Sequence, residues 1–531
     1  MLIVGDTASF VRLVIVHYHL RPGGIRRVIE LATPHLVRAA LRPITRVVLA
    51  TGQRADQQWH DHFIHQLSGI PVEVLVEPSF NYLSEQRRSP ECIKTRIHLT
   101  LRQLFSDSDR SDTLVWAHNL AVGRNLLLTR ELAGACAARG IPLVAHHHDW
   151  WFDNRWVRWP EMRRFGVRTL ADAAQTVFPQ QNNVLHAAIN HADAAILARH
   201  FGQRTLWIPN LSEPAPLPSR ARVRAARRWL RGKLAHDGAP VWLLPCRMLR
   251  RKNVAEALLL TRWLRPEAWL VVTGAVSSAD ESPYFNTLER AAAVHHWRLR
   301  LGVLADDESR KPNVSELLAA SEAVLLTSIQ EGFGLPYLEA AAARRPLIAR
   351  RLPNIAPDLD RFGFCFPQAY DEILIPPLVF DWRAERVRQQ RRFNHWRAAM
   401  PAFARSLVPQ PPILATKLPG AVPFSRLTLT AQLEVLANPL RQTWAACAPL
   451  NPFLETWRQR ASDGELRVTT WPRSAKRWLS GEAYARRFFT ALAAKPESWK
   501  SPFSPLRVQS DFIASKLDVR NLYPLLWSKH A

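Results

Sequence analysis

Leu325-Leu-Thr-Ser-Ile-Gln-Glu331-Gly-Phe-Gly-Leu-Pro-Tyr-Leu-Glu339 is the stretch on which the reading of the fold turns. A short apolar run passes through a loop with two glycines into a helical pattern, the strand-turn-helix unit of a parallel sheet with helical crossovers. Pro336 suits the first helical turn, where its missing amide proton would have no partner inside the helix. The amides of Gly332, Phe333, Gly334 and Leu335 then face whatever lies above the helix, and the helix dipole makes that place favourable for phosphate.

Outward from this stretch the same grammar repeats. Upstream, strands are expected at Val241–Cys246, Ala268–Thr273, Arg298–Val303 and Ala323–Thr327, and downstream at Pro346–Ala349. Before a Pro-rich linker, Pro209 to Pro218, a first series runs through Val11–Tyr18, Ile44–Ala50, Pro71–Val76, Thr113–Ala117, Pro142–His146, Ala192–Leu197 and Thr205–Ile208. Helices at Gly24–Ala39, Val122–Arg139 and Thr169–Asn190 supply its crossovers. The expectation is an α/β protein of two Rossmann-like, doubly wound domains, residues 1–208 and 209–364. A Pro-, Arg- and Trp-rich, mainly helical insertion or extension follows at 365–475, with closing helices at 476–531. At 531 residues the chain exceeds what one hydrophobic core sustains, which agrees with at least two domains.

Composition narrows the partners. Against 45 acidic residues stand 71 Lys and Arg, a formal charge of +26, which favours phosphorylated small molecules or an anionic membrane surface. The basic residues are dispersed along the chain, so nucleic acid is not expected. The five cysteines, Cys92, Cys136, Cys246, Cys365 and Cys447, are widely spaced and signal neither a disulfide framework nor a zinc site. With no apolar run of about 20 residues and no secretion signal, the expected location is cytoplasmic, with at most peripheral contact at the inner membrane face.

Ligands of doubly wound sheets sit beyond the carboxyl ends of the strands, and every chemical motif falls there. Glu331 and Glu339 can border one pocket from opposite sides of the turn. Two carboxylates repel a diphosphate unless each binds hydroxyl groups instead, and a nucleotide sugar offers hydroxyls at both ends. Arg247 and Lys252, in Leu244-Pro-Cys-Arg-Met-Leu-Arg-Arg-Lys-Asn253, supply cations for the phosphates. The first domain contributes a Gly-Gly turn at Gly23 and Gly24, the pair His118-Asn119, and Ala145-His-His-His148-Asp149-Trp-Trp151. The triple histidine has three readings: structural, acceptor-binding through His148 and Asp149, or metal-binding. Because neighbouring strand residues point to opposite faces, at most two of the three converge, and no metal is expected. Most of the 20 tryptophans are read as core, with Trp150 and Trp151 open between core and sugar stacking.

Taken together, Pro22-Gly23-Gly24 after the first strand, Arg247 followed by Lys252, and Glu331-Gly-Phe-Gly-Leu-Pro with Glu339 resemble the retaining glycosyltransferases of family 4, whose two-domain architecture is called GT-B. The resemblance covers most of residues 11–360 and resumes near Trp478–Ala493. It implies that Glu331 and His118 stand at the reacting centre and Glu339 meets the ribose. Arg247 and Lys252 would hold the diphosphate, and Gly24 would lie on the phosphate or acceptor side. It implies two such domains facing a cleft, a nucleotide-diphosphate sugar as co-substrate with no other cofactor, and an acceptor that is a sugar, a lipid or a small solute. The sequence departs from the family pattern at Arg345 and at Leu352-Pro-Asn-Ile-Ala-Pro-Asp358. The His-Asp-Trp-Trp-Phe-Asp segment and the long region after Phe364 fall outside the ordinary family pattern and resemble enzymes that glycosylate small acidic solutes such as glucosylglycerate. Two rivals share these features: a phosphorylase or sugar-nucleotide epimerase of the same architecture, and a non-catalytic basic protein binding RNA or anionic lipid.

Overall fold

The computed structural model describes residues 11–40, 43–106, 112–214, 216–234, 238–276, 278–305, 308, 311–415, 420–494 and 504–527. The chain forms two compact units. Unit 1 comprises 1–212, 399–407 and 476–516, and unit 2 comprises 213–398, 408–475 and 517–531.

Unit 1 is built on seven parallel strands: β1 (Arg12–His17), β2 (Arg46–Thr51), β3 (Val72–Val76), β4 (Thr113–His118), β5 (Leu143–His147), β6 (Val184–Ala188) and β7 (Thr205–Trp207). Their spatial order is β3-β2-β1-β4-β5-β6-β7, so the direction of winding reverses between β1 and β4. Central strands such as β4 and β5 are buried along their whole length, as expected for a sheet covered on both faces. The expected helix Thr169–Asn190 and strand Ala192–Leu197 are corrected: a helix Leu170–Val177 stops before Pro179, β6 follows, and residues His191–Phe201 are helical. Ala-rich sequence favours helix, and the Asn190 side chain caps it by accepting from the Asp193 amide. Helix Gly481–Ala493 packs on helix Gly24–Ala39, adding Tyr484 and Phe488 to the core with Leu13, Val28 and Leu114. The contact is close enough that a Cβ at Gly481 would lie 2.1 Å from the His35 ring, so only glycine fits.

Unit 2 carries six parallel strands: β8 (Val241–Leu244), β9 (Trp269–Val272), β10 (Leu299–Arg300), β11 (Ala323–Leu326), β12 (Leu347–Arg350) and β13 (Gln368–Tyr370). Their order, β10-β9-β8-β11-β12-β13, is the doubly wound arrangement with its reversal between β8 and β11. Residues 365–398 and 408–475 are integral to this unit. β13 pairs with β12, and the helices Leu429–Ala437, Leu440–Cys447 and Phe453–Asp463 pack on helix Val254–Leu264. That helix is apolar on nearly every side, from Val254 and Leu258 to Trp263, and such a helix needs cover all round. Among the described residues no helix is long and apolar enough to cross a membrane.

Candidate functional site

In unit 2 the loops after β8 and β11, the two strands flanking the reversal, are tied together. Thr327 Oγ1 donates to the carbonyls of Lys252 (2.9 Å) and Asn253 (3.1 Å), and the Ile329 amide donates to the Arg251 carbonyl (2.8 Å). Asn253 takes a left-handed backbone at φ 48°, a conformation asparagine tolerates, and this turn aims the preceding cations at the β11 loop. Glu331 receives them. Arg251 Nη1 donates to Glu331 Oε2 at 2.7 Å and to the Gln330 carbonyl at 2.8 Å, and the Lys252 ammonium pairs with Glu331 Oε1. The Glu331 and Lys252 side chains are only 10% and 8% exposed, so the pair is largely desolvated. Burial alone would push the Glu331 carboxyl up, but the Arg251 and Lys252 charges and their hydrogen bonds outweigh it and hold the group at about 2. Glu331 is therefore an ionised acceptor at neutral pH.

The turn from Glu331 into the helix Leu335–Ala342 is held by Asn354 Nδ2, which donates to the Glu331 carbonyl at 2.8 Å. Gly334 sits at φ 88°, and a Cβ there would press on the Tyr337 ring at 3.0 Å and on Ile355 at 3.1 Å. Phe333 is buried, its ring 6.5 Å from that of Phe362, while Gly332 and Leu335 are partly open. Glu339 is exposed on the helix. Arg247 is exposed as well, with no acidic partner among the described residues. The structure thus joins Lys252 directly to Glu331 and adds two residues that the sequence reading missed, Arg251 and Asn354. Arg251 adjoins Lys252 in sequence and was legible there; Asn354 becomes visible only through its hydrogen bond.

In unit 1, Gly24 opens the helix Gly24–Ala39, with nothing within 4 Å of where its Cβ would be and no side chain capping the first turn. His118, at the end of β4, is buried, and its Nδ1 lies 3.1 Å from His148 Nε2. Asn119, at φ 61°, accepts from the amides of His148 (3.0 Å) and Asp149 (2.9 Å), pinning the segment after β5 beside β4. Asp149 pairs with Arg155 at 3.0 Å. His147 points away to His186, as strand alternation requires, while His146 and His148 converge on His118. Burial lowers every one of these imidazoles: His118 and His146 fall well below the usual value and His148 to about 4, so all are neutral near pH 7.

Ligand atoms of His118, His146 and His148 lie within 4.8 Å of one another, the donor count of a three-histidine metal site. Two hydrogen bonds compete for those nitrogens: the His118–His148 contact, and the Trp116 indole, which donates to His146 Nδ1 at 3.3 Å. Trp150 and Trp151 are core residues, buried, with their indoles bonded to Asp193 (2.8 Å) and Gln509 (3.3 Å).

The family model of glycosyl transferases group 1 matches residues 227–360, the part that holds Arg247, Arg251, Lys252, Glu331, Glu339 and Asn354. A mannosylglucosyl-3-phosphoglycerate synthase of Petrotoga mobilis is 24% identical over 355 residues, covering 65% of each chain. A mannosylglucosylglycerate synthase of Thermotoga maritima is 28% identical over 222 residues, 39% of this chain and 50% of that one. The chain thus spans less than two thirds of the length of these curated relatives. The crystal structure of Anabaena Alr3699/HepE in complex with UDP-glucose aligns with a TM-score of 0.49 at 15% identity, covering 91% of this chain and 99% of that chain. The match to glycosyl transferases group 1 thus falls on the second of the two doubly wound sheets, the one that carries the Gly334 turn and the Glu331 cluster.

Proposed function

We propose that the chain transfers a sugar from a nucleotide-diphosphate sugar to an acceptor hydroxyl with retention of anomeric configuration, and that the acceptor is a small acidic glycoside of the glyceric acid type. The observation that carries the donor half is the ionised, desolvated Glu331 held by Lys252 and Arg251 at the head of the Gly332–Leu335 turn. An acceptor-only carboxylate binds sugar hydroxyls, and the amides of the turn with the open Arg247 fork hold the phosphates. Lys252 and Arg251 offset charge on the departing nucleotide, worth more in a desolvated site than in water. Glu339, exposed on the helix, takes the ribose. Glu331 is too acidic to hold a proton at neutral pH, so a leaving phosphate oxygen takes the acceptor proton and no protein nucleophile is needed.

The acceptor half rests on unit 1, where neutral His118 and His148 and the Asp149 carboxylate offer hydrogen bonds to hydroxyls. The acidic acceptor is taken from the names of the two relatives and agrees with the net charge of +26. The test incubates the full chain with UDP-glucose or GDP-mannose and with glycerate, 3-phosphoglycerate or glucosylglycerate, following nucleoside diphosphate release and product anomer by NMR. A new glycoside with the donor's anomeric configuration is expected. An inverted product refutes retention, and sugar phosphate formed from orthophosphate without acceptor refutes the transferase reading.

A further inference from the structure

Arg124 stands on the loop between β4 and the helix Leu126–Arg139, at the carboxyl end of the sheet of unit 1. It is half-buried, yet its guanidinium makes no hydrogen bond and no ion pair among the described residues, and it lies 4.6 Å over the Tyr82 ring. The neighbouring cations each hold an acid: Arg21 pairs with Glu85 at 2.7 Å, Arg155 with Asp149 at 3.0 Å and Arg158 with Glu161 at 2.9 Å. Burial first, and then repulsion from Arg158, lowers the Arg124 guanidinium to about 10. A cation with no acid of its own in so basic a setting is where an anion binds at a gain.

The loop is fixed on both flanks. Asn125 Nδ2 donates to the carbonyls of Ser79 and Asn81, both at 2.8 Å, and the Leu83 amide donates to the Arg124 carbonyl at 2.9 Å. On the other flank the Trp151 amide donates to the Ala121 carbonyl at 2.9 Å. A Cβ on Gly123 would lie 2.7 Å from Trp151 and 2.9 Å from Met162, which shares a helix with Arg158. Tyr82 sits edge-on to His19, ring centres 4.9 Å apart, and its hydroxyl also makes no hydrogen bond among the described residues. Burial raises the phenol, so it keeps its proton to donate. Neither group is sealed off, since the unbonded donor atoms of both residues keep accessible surface. A planar guanidinium fork beside an O–H suits a carboxylate.

We infer that Arg124 and Tyr82 bind the carboxylate of the acceptor, while its hydroxyls meet His118, His148 and Asp149 on the loops laced to this one. The inference rests on the transfer reading for the identity of the acceptor.

Calorimetric titration of the full chain, with UDP or GDP present but no sugar donor, compares glucosylglycerate with glucosylglycerol, which differ only in a carboxylate against a hydroxymethyl group. The acid is expected to bind about tenfold more tightly, the worth of one hydrogen bond to a charged group. Arg124→Gln should erase this preference and leave the melting temperature within about 3 °C of the parent chain, as for a side chain that holds nothing else in place. Tyr82→Phe should weaken glucosylglycerate about fivefold and leave glucosylglycerol unchanged. Equal or undetectable binding of the two glycosides, an undiminished preference in either variant, or a larger fall in the melting temperature of Arg124→Gln would overturn the inference. Failure of the transfer reading is recorded separately, as the absence of any glycoside product from nucleotide sugars while the binding preference stands.

Discussion

The polar interiors around His118 and around Glu331 follow the same strand of their respective sheets, the fourth in winding order, next to the reversal, and they are built from opposite materials. Unit 1 buries neutral imidazoles: His17, His118, His146, His147, His148 and His186, each kept uncharged by burial. Unit 2 buries charges and pairs them. Beside Glu331, Lys252 and Arg251 lies a second cluster in which Arg350 Nη2 meets both oxygens of Glu256 at 2.5 and 2.6 Å and Nη1 reaches Glu372. Burial opposes the Arg350 charge, and the two carboxylates more than restore it. A buried pair survives only while both partners are present, whereas a neutral cluster can lose one member at modest cost. The difference fits the proposed division of labour: a diphosphate needs fixed charge, and an acceptor hydroxyl needs neutral hydrogen-bonding groups.

The comparison can be broken most directly at Arg350. Arg350→Leu leaves Glu256 buried without its cation and Glu372 with Arg426 alone, and is expected to cost about 3–5 kcal/mol in urea unfolding. A loss below about 1 kcal/mol would show that unit 2 does not depend on paired charge.

Next in size is the site itself. Glu331→Ala should lower kcat about 100-fold, because the contact to the transferred sugar strengthens toward the transition state, while Glu339→Ala should mainly raise KM, about tenfold. Equal effects on both constants in both variants would erase the assigned roles.

Acid separates the two units. An unfolded histidine takes its proton near 6.5, but folded His148 waits until about 4 and His17 until about 3. Below 6.5 the unfolded chain therefore binds more protons, and stability falls by about 1.4 kcal/mol per pH unit for each such histidine. Glu331, depressed from 4.5 to about 2, contributes stability that is complete above 4.5 and is lost only as pH falls toward 2. Hydrogen exchange at pH 5.5 should show unit 1 losing protection while unit 2 keeps it, and simultaneous opening would contradict the contrast.

The smallest expected effects compare two glycines. Gly334→Ala, forced into a left-handed conformation against Tyr337 and Ile355, should cost about 1–2 kcal/mol. Gly24→Ala, at a helix start with open space around it, should change stability by less than about 0.5 kcal/mol in the same melting assay.

Much of this was legible in the chain. Apolar runs alternating with helical periods gave most strands of both sheets, and two residues singled out in the sequence, Lys252 and Glu331, meet as an ion pair in unit 2. The reading failed where local signals were short or ambiguous. Five residues of β6 merged into a preceding helical pattern, and three residues of β13 stood out from nothing around them.

By itself the sequence determined the architecture and the loop that leads from Glu331 into its helix, because strand period, helix period, turn glycines and adjacent cations are all properties of neighbouring residues. Only the tertiary structure decided that Glu331 is clamped by Arg251 and Lys252, that His146 and His148 turn to His118 while His147 does not, and that Glu256 is paired with Arg350. Those partners lie 79 or 80, 28 or 30, and 94 residues apart, and parallel pairing across the sheet, which no local pattern encodes, is what brings them within bonding distance.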